Sequence, residues 1–113
     1  MRGELPPVGS LSERVGVQKR METPLPEGGH AVDYVPLGST WARVRSRSGR
    51  FGREGDGRAA VASHGVMLRF RKDIGPGDRV IYRGRALEIV AAEDLNGRRA
   101  YLSCLCQETE IVG

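Results

Sequence analysis

Two histidines, His30 and His64, two cysteines, Cys104 and Cys106, and a scatter of carboxylates are the residues of this chain that could do chemistry. Catalysis needs a nucleophile or an acid–base pair delivered to one place, and no known catalytic spacing connects them. His64 stands at the start of an alternating apolar run, where a hydrogen-bonded structural role is expected, and His30 sits in a stretch rich in glycine and proline. A structural zinc takes four ligands, usually in two Cys/His pairs. One Cys-x-Cys falls short of that, so neither a metal nor a cofactor is expected. Two residues apart on a strand, the cysteines share a face with Cα atoms about 6.6 Å apart, close to the limit for a bridge, and a disulfide between them is not expected. The glycine pieces "GREGDG" and "GPGDR" lack the strand–loop–helix setting and the lysine or glycine spacing of phosphate loops. They read as turns, and the chain as a non-enzyme.

Arginine is the other chemistry on offer. There are 16 arginines against Lys19 and Lys72, and the formal net charge is +4. Arginine's planar fork suits phosphates, carboxylates and interface pairs more than mere solvation. The charge is also concentrated: Arg43 to Lys72 holds nine basic residues and two acids, Glu54 and Asp56, a local net of +7 that leaves −3 for the remainder. Such asymmetry suits contact with nucleic acid or head-to-tail contact between copies. Aromatic residues are only 5% of the chain, and Trp41, Phe51, Phe70 and Tyr82 show no spacing for a base-stacking platform. Trp41 is expected to anchor the core or an interface.

The elements that position these residues follow from periodicity. A chain of 113 residues fits one domain able to bury about two thirds of its unfolded surface. Sixteen glycines and six prolines favour short strands and turns. Residues 1–10 read as an arm that orders on a partner. "LSERVGVQKR" is a first strand, with Val15 and Val17 on one face. "METPLPEGGHAVDYVPLGS" holds three prolines and three glycines and reads as a long surface loop in which Ala31 to Val35 pair briefly at most. "TWARVRSRS" is a second strand, with Ala42 and Val44 inward and Trp41, Arg43, Arg45 and Arg47 outward. Residues 48–62 form a basic, glycine-rich excursion with at most one turn of helix behind Asp56. Val66, Leu68 and Phe70 define a third strand, and "DIGPGD" a tight turn. "RVIYRGRALEIVAAED" reads as two strands hinged at Arg83-Gly84, and Asn96-Gly97 predicts a two-residue primed turn into the last strand. Closure removes exposed edges, so the expected fold is all-β: a small antiparallel six-stranded barrel over residues 11–108, with a short tail at 109–113. No apolar run of about 18 residues and no leader pattern appear, which predicts a chain made in a reducing cytoplasm and not inserted in a membrane.

The order of pieces then matters. "LSERVGVQKR", "STWARVRSRSGR", "ASHGVMLRFRKDI" and the final hairpin "RVIYRGRALEIVAAEDLNGRRAYLSCLCQE" together resemble, over Leu11 to Glu108, the head-tail joining proteins of tailed phages, also called head closure or stopper proteins. The resemblance implies a barrel that forms a ring, a hexamer or dodecamer, in the neck of a phage, prophage or gene transfer agent particle. The ring's neighbours would be a portal–adaptor complex on the head side and a tail terminator on the tail side. It places residues 48–62 in the position of a loop facing the DNA channel, where Arg47, Arg50, Arg53 and Arg58 would meet the DNA backbone without reading its sequence. Trp41, Arg43, Arg45, Arg69, Arg71, Arg83 and Arg85 are the candidates for subunit or neighbour contacts. One departure stands out: Phe51-Gly52-Arg53 and further glycines follow Ser48-Gly49-Arg50, where members of the family often carry a glutamate and a helix-forming stretch. The competing class is a stand-alone small β-barrel that binds nucleic acid.

Overall fold

Val15, Val17, Ala42, Val66, Leu68, Val80, Leu87, Ile89, Leu102, Cys104 and Cys106 alternate along their strands and meet in one buried cluster. The computed structural model of the protein describes residues 10–46 and 63–109. The strands are β1 (Glu13–Pro24), β2 (His30–Ser46), β3 (His64–Arg69), β4 (Arg79–Tyr82), β5 (Arg85–Asp94) and β6 (Tyr101–Thr109). They close an antiparallel barrel in the order β1-β2-β3-β6-β5-β4. The interior of so small a barrel is filled by side chains. Burying each of its Val, Leu or Ile residues contributes about 1.5–3 kcal/mol before entropy is counted. The expected all-β barrel and its inward valines are present.

The strand order holds a correction. "DIGPGD" is not a tight turn between neighbouring strands, because β3 lies between β2 and β6 while β4 lies between β1 and β5. Residues 70–78 instead cross one end of the barrel and join two three-stranded meanders. Ile74 drops into the core from this crossover. The turn chemistry itself is as expected: Pro76 and Gly77 sit at the middle positions, Gly77 has φ +96°, and the Asp78 amide donates to the Gly75 carbonyl at 3.1 Å. A proline followed by a glycine at positive φ defines a type II turn.

A second correction concerns residues 21–39, expected as a long surface loop. Residues 21–24 and 30–39 are strand, joined by a turn at 25–29: β1 and β2 pair without a break from Gln18↔Pro36 out to Pro24↔His30, forming a hairpin arm beyond the barrel. Proline is tolerated because the arm is a two-stranded ribbon. Among the described residues each strand of the arm has one hydrogen-bonding edge without a partner, and a proline facing that edge removes no ladder bond. Pro36 lies where the register shifts between Gly16 and Gln18, and Pro24 closes the ladder.

The hinge at Arg83-Gly84 connects β4 and β5 as predicted. Asn96 and Gly97 both take positive φ, 58° and 65°, and the Arg98 amide reaches the Leu95 carbonyl at 3.4 Å. The connection is longer than two residues, however. Arg98 to Ala100 loop out before β6 begins, and Asp94 Oδ1 accepts the Arg99 amide at 2.8 Å.

Cys104 and Cys106 are both free and buried on the same face. Burial pushes the Cys104 thiol up to about 12, and burial, with a smaller contribution from Cys104, raises Cys106 further. A rise from 9 to about 12 lowers the reactive thiolate by roughly 1,000-fold. Alkylation of the native protein at pH 8 is therefore expected to run at least ~100-fold slower than in denaturant. Pulsed labelling with iodoacetamide checks this, and equal rates would contradict the burial.

Candidate assembly surface

Because Ala42 points into the core, its neighbours Trp41 and Arg43 point out, and Arg45 follows two residues on. The ladder then fixes what lies beside them. Arg43 is opposite Met67 and Arg45 opposite Gly65 on β3; Met67 is opposite Ser103 and Gly65 opposite Leu105 on β6. Glu93 and Ala91 of β5 continue the two rows. Gly65 has no side chain, and the sheet face sinks there into a shallow groove of about 470 Å³ between Arg43, Arg45, Met67, Ser103 and Leu105. A second hollow of about 480 Å³ lies between Leu11, Ser12, Trp41 and Arg69. Trp41 is 51% exposed, so it is not a core anchor. Its ring is braced by the Arg14 guanidinium, 5.2 Å from the ring centroid, which in turn is held by an Arg14 Nε donation to Ser39 Oγ at 3.0 Å.

The seven predicted contact residues thus divide. Trp41, Arg43, Arg45 and Arg69 share the outer face of β2 and β3, and among the described residues none of these arginines is in an ion pair. Arg71, Arg83 and Arg85 are elsewhere and already have carboxylate partners. Arg71 holds Asp73 through two hydrogen bonds, 2.6 and 2.8 Å, and Arg85 holds Glu108 the same way at 2.8 and 2.6 Å. Arg83 reaches Glu13 at 3.3 Å and lies over the Tyr82 ring. The Arg71 hydrogen bonds hold Asp73 below its usual range, and those of Arg85 do the same for Glu108. Both carboxylates are depressed, so the stability they add is present above their ordinary values of 3.8 and 4.5 and fades as the pH falls below them. Solvent screens both pairs, and the contribution is small.

The channel candidates Arg47, Arg50, Arg53 and Arg58, with the rest of 48–62, lie outside the described residues, as do positions 1–9 and 110–113. The chain on either side of the segment is well held. Ser46 pairs with His64, the Ser63 amide donates to Cys106 O at 2.8 Å, and Ser63 Oγ accepts the Glu108 amide at 2.8 Å. His64 is buried, its Nδ1 2.9 Å from Ser63 Oγ and its ring edge-on to Tyr82 at 6.2 Å, as a structural histidine would be. Both ends of the segment therefore meet one rim of the barrel, together with the Arg83–Glu13 and Arg85–Glu108 pairs. His30 begins β2 at the far tip of the arm and is exposed. Among the described residues no three His, Cys, Asp or Glu stand close enough to hold a metal ion. No helix there is long and apolar enough to cross a membrane.

The sequence reading missed the opposite rim. Asp78, 3% exposed, accepts the Arg20 amide at 2.9 Å on Oδ1 and the Gly75 amide at 2.8 Å on Oδ2, where Lys19 Nζ also approaches to 3.2 Å. One carboxylate thereby ties the crossover to the root of the arm. Beside it the Arg79 guanidinium stacks 3.7 Å from the centroid of Tyr34, on the arm's other strand. The only local signal was Asp78 as the last residue of a turn.

Among the described residues, the chemistry on the outer face of this closed barrel is that of arginine and one exposed tryptophan. Comparison with known proteins adds the family. Residues 6–109 match the family model of the phage head completion protein, and the chain belongs to that family of structural phage proteins. It is a component of a virion or phage-like particle and associates with other particle components. Its fold is shared with a chain of the virion of a native gene transfer agent particle (21% identity, TM-score 0.66, covering 93% of this chain and 98% of that one). It is also shared with protein SF1141 of Shigella flexneri 2a, known from a solution structure (23% identity, TM-score 0.62, covering 91% and 96%). No curated protein matches the sequence.

Proposed function

We propose that this chain is a head-tail connector of the stopper or head closure type. Copies of it form a ring, a hexamer or dodecamer, in the particle neck. Portal–adaptor protein sits on one side and tail terminator on the other, and the ring assembles in the bacterial cytoplasm before the tail is joined. Residues 11–108 are the wall of the ring, residues 1–10 and 109–113 are end segments for docking, and residues 48–62 face the DNA passage. The observation that carries this reading is the match of residues 6–109 to the head completion family. A barrel that anchors both ends of a segment with four arginines at one rim is the physical counterpart. A ring multiplies that modest charge by the number of copies and directs it at one axis, which suits a backbone-reading, sequence-blind contact.

The test replaces Arg50, Arg53 and Arg58 with serine. The described strands close the barrel without any of the three, so the variant is expected to fold and enter particles normally while the fraction of particles retaining DNA falls several-fold, most steeply as salt is raised. Full DNA retention by the triple variant would remove the gating role. Light scattering with added portal or adaptor protein tests the ring itself: a persistent monomer that binds DNA tightly by itself would point to a solitary nucleic-acid-binding barrel instead.

A further inference from the structure

Among the described residues two surfaces are left without partners, and their chemistry is complementary. The first is the hairpin arm. Beyond Gln18 and Pro36 it pairs, among the described residues, only with itself, and Met21, Leu25, Val32 and Val35 are exposed on it at 47%, 37%, 42% and 44%. From residue 21 to 35 it has three acids, Glu22, Glu27 and Asp33, and no lysine or arginine. Glu22 is paired with Arg20 at the root, while Glu27 and Asp33 have no ion-pair partner among the described residues. A two-stranded ribbon cannot bury an apolar surface by folding on itself. The Asp78 and Arg79–Tyr34 contacts nevertheless fix its root against the barrel, so it is held out as a rigid projection.

The second surface is the groove above Gly65. Its floor is small and apolar, with Met67 and Leu105 at its sides, and its rim is Arg43 and Arg45. A molecule cannot fill its own groove with its own arm, because β2 runs from the arm at His30 to the groove at Ser46 and the two lie at opposite ends of one strand. Residues 47–62, which follow Ser46, bear four arginines against two acids and so share the sign of the rim, whereas the arm carries the opposite sign.

We infer that the hairpin arm of one copy docks in the arginine-rimmed groove of the next, with Met21 and Val35, which share a ribbon face with Asp33, supplying apolar contact and Glu27 and Asp33 meeting Arg43 and Arg45. The contact is head-to-tail, each copy giving an arm and receiving one, the interface type that closes into rings. It rests on the ring reading above and specifies which surfaces close the ring.

Charge reversal tests it. One full-length chain receives Glu27→Arg with Asp33→Arg, making arm and groove both positive; another receives Arg43→Glu with Arg45→Glu, making both negative. All four positions are on the surface, and unchanged melting curves confirm that each variant folds. Self-association, measured by sedimentation of the chain alone and on purified portal–adaptor rings, should fall at least ~10-fold for either variant by itself. An equimolar mixture should recover wild-type assembly to within about threefold, because every arm then meets a groove of opposite sign. Wild-type rings that survive both reversals, or a mixture that recovers nothing, overturn the arm-in-groove contact and leave the ring reading standing. A wild-type chain that remains single even on portal–adaptor rings overturns both.

Discussion

Replacing Asp78 with alanine is expected to lower stability by about 3 kcal/mol and the melting temperature by about 10–15 °C. Without the carboxylate, the Arg20 and Gly75 amides lose their acceptor, and each polar group left unpaired in a protein interior costs about 1–3 kcal/mol. The Lys19 ammonium contributes much less. It is 43% exposed and returns to water, so Lys19→Met should cost under about 1 kcal/mol. That ranking distinguishes the two roles of the aspartate. Urea unfolding of both variants measures it, and equal losses would mean that the ion pair, not the backbone amides, accounts for the effect. The damage should also be localised: the amides of Arg20 and Gly75 should exchange hydrogen faster than those of β3 or β6 under native conditions, because the arm's root and the crossover loosen before the barrel opens.

Asp78 also illustrates why part of this fold could not be anticipated. Its partners Lys19 and Arg20 lie 59 and 58 residues away, and no local pattern announces a tie of that range. The crossover of residues 70–78 is opaque for the same reason. "GPGD" specifies the turn at Gly77, but not whether the chain leaving it joins β3's neighbour or the far side of the barrel. The legible features were those decided within a few residues. Val15 and Val17, Ala42, and Val66 and Leu68 alternate because each strand has one wet face, and Asn96-Gly97 turns because those residues accept positive φ. The arm was misjudged because three prolines argue against a central strand, and the ribbon is all edge. The outward run Trp41, Arg43, Arg45 was visible from alternation alone. Its separation from Arg71, Arg83 and Arg85 was not, since only the fold reveals that Asp73, Glu13 and Glu108 satisfy those three.

That separation yields the second large effect. The double variant Trp41→Ala, Arg69→Ser should leave the isolated barrel intact, with a melting temperature within about 2 °C of wild type, because both side chains lie on the solvent face and neither belongs to the core. Incorporation into particles should nevertheless drop at least ~30-fold. An exposed tryptophan braced by Arg14 over a hollow of about 480 Å³ is the rigid aromatic type that dominates interfaces, and truncating such an anchor typically costs 2 kcal/mol or more. Arg85→Ala is the control. Its guanidinium is already committed to Glu108, so assembly should change by less than about threefold. Counting copies per purified particle decides between the two groups. A large loss for Arg85→Ala together with normal incorporation of the Trp41/Arg69 variant would move the assembly surface from the outer face of β2 and β3 to the rim where β4 turns into β5.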